Sequence, residues 1–278
     1  MIIEIIKFFV YAILIVMISK YILVKALRRL AENLNLKPQT VGNISGIATS
    51  IPEFLTVTIS SFQGLASTSL YNIISSNIIN LAQYILSLII NKNYRLIKNK
   101  VILIQLILVI LTIIIPILLI NLTEKFEMWM IFIFIILYLI FSWISKKMHE
   151  KYLEKEEQKI EEYEKIEELR EKNKNKRSYV YIIYIVVAGI MLYFIGNELG
   201  NVLENLSEIF KIAEYILGIL LGAITSVPEL VTFFEAQKHY KDSENDKLLG
   251  VVEATNNLLT SNMLNLFIIQ SLGIFILL

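Results

Sequence analysis

Cysteine is absent from the 278 residues. That excludes disulfides, thiolate metal sites and cysteine nucleophiles. Histidine occurs only at His149 and His239, both in polar segments, so a buried histidine base is not expected. Aspartate occurs only at Asp242 and Asp246, in a charged connecting segment. An intramembrane enzyme therefore lacks its usual reacting groups, and the chain is not expected to be an enzyme. Charge is scarce as well: 18% of residues, against about a quarter in soluble domains. The net charge of +1 gives no bulk attraction to nucleic acid, and no nucleic-acid partner is expected. Proline occurs four times, at positions 38, 52, 116 and 228.

What is abundant is hydrocarbon, with 56% of residues hydrophobic. Apolar runs recur at the length of about 20 residues that a helix needs to cross a bilayer. Eight spans are expected, roughly Ile5–Leu23, Val41–Phe62, Ser69–Ile90, Val101–Ile120, Met128–Ser145, Tyr179–Ile195, Tyr215–Ala236 and Ala254–Leu277. The first is too long for a signal peptide, and no small-residue cleavage site follows it, so it reads as a retained span. The fold class is thus all-α, a polytopic membrane protein whose partners include the lipid bilayer. Lysine and arginine crowd alternate loops: Lys25, Arg28, Arg29 and Lys37, then Lys92, Arg95, Lys98 and Lys100, then Lys238, Lys241 and Lys247. The positive-inside rule puts those loops in the cytoplasm and the N-terminus outside, in a plasma membrane.

Three segments follow: residues 1–145 with five spans, residues 146–177, and residues 178–278 with three spans. The middle segment is charged, free of glycine and proline, and built from strong helix formers, as expected of a cytoplasmic helical linker.

Two phrases recur. "GIATSIPE" (Gly46–Glu53) and "GAITSVPE" (Gly222–Glu229) match at an offset of 176 residues. "NIISSNIIN" (Asn72–Asn80) and "NLLTSNMLN" (Asn257–Asn265) match at an offset of 185, so the second half carries an insertion between its phrases. Counting spans, the two halves run in opposite directions through the membrane. Inverted repeats with interrupted helices mark secondary transporters, with the substrate site near mid-membrane.

Proline carries no N–H, so Pro52 leaves the Ala48 carbonyl without its helical donor, and Pro228 does the same to Ile224. Thr49 and Glu53 share a helical face, as do Thr225 and Glu229, Ser76 and Asn80, and Ser261 and Asn265. With Ser50 and Ser226 this makes an all-oxygen set with two carboxylates, suited to a hard cation such as Ca²⁺, which takes about 6–8 oxygens. A purely structural alternative stands beside it. In "SIPE" and "SVPE" the serine caps a new helix and the glutamate reaches back, as in a capping box. A carboxylate at the bilayer centre costs about 2.5 kcal/mol or more, and one in each of two antiparallel copies favours a cation site.

At these residues the chain resembles the sodium/calcium exchanger family of the cation/calcium exchangers. The family's alpha repeats read like G-x-G-T-S-x-P-E followed by G-S-N-x-x-N or -D. The resemblance implies an antiporter exchanging Na⁺ for Ca²⁺ by alternating access, with no cofactor beyond the transported ions. Glu53 and Glu229 would be the Ca²⁺ carboxylates, with Thr49 and Thr225 beside them. Ser50, Ser76, Ser226, Ser261, Asn80 and Asn265 would help line sodium sites, and the first and sixth spans would slide across the core. Two departures bear on geometry. The family's glycines are replaced by Ala48 and Ile224 before the threonines, and by Ser75 and Thr260 before the second serines, which is expected to crowd the approach of backbone or ion. The family plan also has ten helices, so a flank lacking the last two is expected to meet lipid or a second copy, a route to homo-oligomers. The alternatives are a proton-coupled cation antiporter of the same superfamily and a non-transporting scaffold or sensor that keeps the repeat for packing. The insertion "DSENDKLLGVVE" (Asp242–Glu253) weakly echoes a calcium loop, but Lys247 stands where glycine would turn the chain, so a solvated loop is expected.

Overall fold

A computed structural model describes residues 2–26, 29–30, 38–123, 127–152, 178–239 and 244–278. The linker from 153 to 177 lies outside them, as do Asp242 and Ser243 of the insertion. The first span is α1 (Ile2–Ile18), prolonged by a π-helical turn, Ser19–Val24. The second is split into α2 (Pro38–Thr49) and α3 (Ile51–Phe62). Then come α4 (Ala66–Ile90), α5 (Lys100–Thr123), α6 (Met128–Tyr152) and α7 (Ser178–Glu204). The seventh span is split into α8 (Glu214–Thr225) and α9 (Val227–His239). The last is α10 (Glu244–Met263), a π-helical stretch Leu264–Ile269, and α11 (Gln270–Leu277).

Among the described residues seven helical spans are long and apolar enough to cross a bilayer. The eighth expected span is the α2–α3 pair. Its α2 carries Gln39, Thr40, Asn43, Ser45 and Thr49, so its mean hydropathy is low. The two halves are 12 residues each, about 18 Å of helix apiece, which end to end is long enough to span.

The distribution of polarity inverts that of a water-soluble protein. Ser60, Thr68, Asn72, Asn77, Ser87, Gln105 and Asn256 are buried, whereas Phe132, Leu139, Trp143, Tyr193 and Phe194 are exposed. Hydrocarbon cannot satisfy polar groups, so they are drawn inward and the apolar faces turn to lipid.

The second half repeats the packing of the first with roles exchanged. Helix α2 packs along α10, and α8 along α4; α3 leans on α4, and α9 on α10. Helices α1 and α7 pair with each other and share an apolar core with α8: Phe8, Ala12 and Ile15 meet Leu192, Leu199 and Leu221. A second core joins α4, α5, α6 and α9–α11 through Tyr84, Ile102, Phe134, Phe233 and Phe267.

Two sequence expectations are corrected here. Residues 244–253 of the insertion form the first turns of α10, because Leu249, Val251 and Val252 bury themselves against neighbours. A continuous helix cannot fold into a calcium loop, and the last helix begins ten residues before Ala254, with its membrane-length apolar stretch from Lys247. The serines of the Pro-Glu phrases also do not cap α3 and α9. Ser50 Oγ donates backward to the Gly46 carbonyl at 2.9 Å, and Ser226 Oγ to the Gly222 carbonyl at 2.8 Å. A carbonyl one turn back in the preceding half-helix takes the hydroxyl that a cap would use.

Candidate ion-binding site

Each break is a single residue. At Ser50 the ladder persists on both sides, with Ser50 N–H bonded to the Gly46 carbonyl at 3.2 Å and Phe54 N–H to the Ser50 carbonyl at 2.9 Å. Ser226 repeats this with Gly222 at 3.2 Å and Leu230 at 3.4 Å. Proline removes one bond next to each break, so the carbonyls of Ala48 and Ile224 face a residue with no N–H to give.

Just past the breaks, Glu53 and Glu229 are both 0% exposed. They are near neighbours across the two repeats. Thr225 lies near the Glu53 carboxylate, and Thr49 near that of Glu229, so each carboxylate has a threonine of the other repeat as its neighbour. Across them run α4 and α10. Asn77 Nδ2 donates to the Asn262 carbonyl at 3.2 Å, and Asn262 Nδ2 returns the bond to the Asn77 carbonyl at 3.1 Å. Asn80 Nδ2 donates to Asn262 Oδ1 at 3.2 Å, and Asn265 Nδ2 to Asn77 Oδ1 at 3.1 Å. Both amide nitrogens are thereby spent on the opposite helix, and the Asn80 and Asn265 oxygens are left over.

The serines complete the floor. Ser261 Oγ donates to Glu229 Oε1 at 3.1 Å and lies 3.0 Å from Ser50 Oγ. Ser76 Oγ donates to the Ile73 carbonyl at 3.1 Å and accepts from Asn265 at 3.4 Å. Seven buried oxygens here have no hydrogen-bond partner: both of Glu53, Oε2 of Glu229, Thr225 Oγ1, and the side-chain oxygens of Asn72, Asn80 and Asn265. Buried polar atoms are almost always paired. So many unpaired oxygens, with no N–H or lysine to serve them, make a pocket of lone pairs that a cation would complete. Among the described residues no three of His, Cys, Asp or Glu converge, so any ion held here relies on neutral oxygens beside two carboxylates.

At three of the four replaced glycines the expected crowding does not fall on this pocket. Ile224 turns to α1, where with Ile13, Val16, Met17, Lys20, Tyr21 and Val227 it lines a cavity of about 220 Å³. Ser75 faces Gly222 across the α4–α8 contact, and Thr260 faces Gly46 across α2–α10. A Cβ at Gly46 would lie 2.7 Å from the Asn257 carbonyl oxygen, and one at Gly222 2.6 Å from that of Asn72. Glycine is thus required on one side of each contact so that a larger residue can sit on the other.

A profile of the sodium/calcium exchanger protein family matches residues 5–147 and 180–278, both repeats and all eight spans. The chain belongs to the sodium/calcium exchanger family. No curated protein matches it. Among solved structures it is similar to the sodium-calcium exchanger NCX_Mj soaked with 10 mM Na⁺ and 10 mM Sr²⁺. That match has 23% identity, covers 99% of this chain and 83% of the other, and has a TM-score of 0.55. The same exchanger soaked with 10 mM Na⁺ and zero Ca²⁺ matches at 23% identity over 99% and 84%, with a TM-score of 0.55. At this identity the likeness establishes the exchanger fold.

Beyond Asn77 and Asn262, four more residues outside the sequence-derived set belong to the same constellation. Asn72 Nδ2 donates to Thr56 Oγ1 at 2.6 Å, and Asn257 Nδ2 to Thr232 Oγ1 at 2.6 Å. All four are buried. The repeat held their signal: Thr56 meets Thr232 at the first offset and Asn72 meets Asn257 at the second.

Proposed function

We propose that the chain is a secondary active antiporter exchanging Na⁺ for Ca²⁺ across a plasma membrane by alternating access, with its N-terminus outside. The observation that carries this reading is the set of seven unpaired buried oxygens around Glu53 and Glu229. Two carboxylates supply a charge of about −2, which one Ca²⁺ or two Na⁺ neutralise. Both ions need the same carboxylates, so entry of one requires departure of the other, and the cations are exchanged instead of carried together. Glu53, Glu229, Thr49 and Thr225 are the Ca²⁺ ligands, joined by the Ala48 and Ile224 carbonyls. Ser50, Ser76, Ser226, Ser261, Asn80 and Asn265 complete the sodium positions. The α1–α7 pair, which packs on α8 and α3, is the body that moves across the core.

Proton coupling fits this oxygen set less well. A proton satisfies one carboxylate oxygen and leaves the neutral oxygens of Thr225, Asn80 and Asn265 without a partner, whereas a metal ion serves several at once. A packing-only role would leave two facing carboxylates uncompensated in the bilayer. Purified protein in vesicles tests the choice. Uptake of radiolabelled Ca²⁺ is expected to follow an outward Na⁺ gradient and to ignore a pH gradient of equal size. Uptake driven by the pH gradient alone would overturn the sodium reading, and no gradient-driven uptake at all would leave the scaffold.

A further inference from the structure

We propose that Asn72 and Asn257 are positioning residues of the ion site, each turning a threonine hydroxyl of the opposite repeat so that its lone pairs face the cation. This rests on the cation-site reading above. A hydroxyl that ligates a metal must send its proton elsewhere, and in a dry site that needs a dedicated acceptor.

Around Asn257 the hydrogen bonds form a chain. Thr232 Oγ1 donates to the Glu229 carbonyl at 2.9 Å, so its lone pair receives Asn257 Nδ2 at 2.6 Å. This orients the amide with Oδ1 turned to Thr49, whose Oγ1 lies 3.5 Å away; Thr49 Oγ1 also reaches the Gly46 carbonyl at 3.3 Å, but that oxygen already accepts the Ser50 N–H, so Asn257 Oδ1 is the unshared acceptor. The relay runs from the Glu229 backbone through Thr232 and Asn257 to Thr49, which stands beside the Glu229 carboxylate. One residue on α10 thus links the carboxylate of one repeat to the hydroxyl of the other.

The other repeat has the same parts. Thr56 Oγ1 donates to the Pro52 carbonyl at 2.9 Å and receives Asn72 Nδ2 at 2.6 Å, which leaves Asn72 Oδ1 as the free acceptor. By the repeat, its partner is Thr225. Here the last bond is not made: Asn72 Oδ1 and Thr225 Oγ1 are both fully buried and both lack partners. With a cation held against Thr225 and Glu53, the Thr225 proton must leave the site, and Asn72 Oδ1 is the acceptor built to take it. Neither asparagine needs to touch the ion; each acts through its threonine.

A double-mutant cycle in the full-length protein tests this, read as the KM for Ca²⁺ in Na⁺-driven vesicle uptake and as Ca²⁺ affinity by calorimetry. Asn257→Leu and Thr49→Val are each expected to raise KM about 5- to 10-fold, the size of one hydrogen bond, with kcat changed less. The double variant should be no worse than either single one. The cross pair Asn72→Leu with Thr49→Val should instead multiply, because it breaks two separate relays. Multiplicative effects of Asn257→Leu and Thr49→Val would overturn the proposal, as would a loss confined to kcat or to thermal stability. Should the leucine variants fail to fold, Asn257→Ser and Asn72→Ser, too short to bridge both threonines, carry the same cycle. A wild-type protein that binds no Ca²⁺ would overturn the cation site itself and the relay with it. Binding with an additive cycle would overturn the relay alone.

Discussion

Replacing Glu53 by glutamine removes one charge from the site and keeps its shape. The loss should depend on the charge of the ion. At a metal–oxygen distance of about 2.4 Å and an effective dielectric constant near 20, one carboxylate charge attracts Ca²⁺ by about 14 kcal/mol gross and Na⁺ by about 7. The amide oxygen remains a ligand and recovers part of this. A residual loss of about 4 kcal/mol for Ca²⁺ is roughly 10³-fold in affinity, and half as much for Na⁺ is roughly 30-fold. Glu229→Gln should be worse than Glu53→Gln. Glu229 Oε1 accepts from Ser261 at 3.1 Å, which would hold the glutamine carbonyl there and turn its NH₂ group toward the ion. Glu53 accepts no bond, so its glutamine is free to present oxygen. Thermal unfolding followed through Trp129 and Trp143 gives a direct assay. At a ligand concentration 100 times Kd, binding stabilises by about 2.7 kcal/mol, a shift of about 5–10 °C for a chain of this size. In Glu53→Gln the Ca²⁺ shift should vanish while a reduced Na⁺ shift persists at high concentration. Exposed Glu208→Gln should keep both shifts. Equal weakening of Na⁺ and Ca²⁺, or an unchanged Ca²⁺ shift, would refute the charge argument.

Two glycine contacts give further expectations. Gly222→Val sets side-chain atoms against the Asn72 backbone, 2.6 Å from the new Cβ; α8 and α4 must part, at about 1–3 kcal/mol in stability and at least tenfold in Ca²⁺ uptake, and unchanged uptake would count against the packing described. On α7, Gly196 and Gly200 form a notch for Ile59 of α3, with Cβ positions 2.7 Å from Ile59 methyls, so Gly196→Val should slow uptake and Ile59→Ala should restore much of it; absence of rescue would argue that the two helices do not move against each other there.

Much of this architecture was legible in the sequence, for identifiable reasons. Apolar runs of bilayer length fixed the spans, and two prolines at one offset located the breaks, because proline acts on the backbone regardless of context. The carboxylates at positions 53 and 229 were legible because charge in hydrocarbon is expensive. Less legible was anything decided by a competition between partners. Ser50 and Ser226 had a cap and a carbonyl both within reach, and only the packed structure shows the carbonyl winning. The glycines missing before Ser76 and Ser261 looked like obstruction at the site. Yet Ser75 and Thr260 meet Gly222 and Gly46 across helix contacts, which no single segment could reveal. The start of α10 was misplaced because Glu244–Lys247 look like loop by charge, whereas Leu249, Val251 and Val252 behind them commit the chain to a buried helix. Asn72 and Asn257 were visible as repeat matches but carried no signal of role until the direction of their hydrogen bonds was known.

The proposed antiport needs two conformations of nearly equal free energy, and a frame of two exchanged copies would provide them at the level of the backbone. What separates the halves here is a side-chain detail: the bond between Thr49 and Asn257 is within reach, and the one between Thr225 and Asn72 is not made. In the oppositely facing conformation the two should trade places. One hydrogen bond is worth about 1 kcal/mol, so removing an acceptor should shift the balance between conformations by about fivefold, toward the one that does not use it. Asn257→Leu and Asn72→Leu are therefore expected to push in opposite directions. The absence of cysteine makes this measurable without background. Ser60 on α3 and Ala236 on α9 are equivalent in the repeat and both buried, so a single cysteine at either position reports access from its own end. In the Asn257→Leu background, thiol labelling should rise at one of these positions and fall at the other, and in the Asn72→Leu background the signs should reverse. Labelling that moves in the same direction in both backgrounds would mean that the asparagines stabilise the fold generally and do not distinguish its two faces.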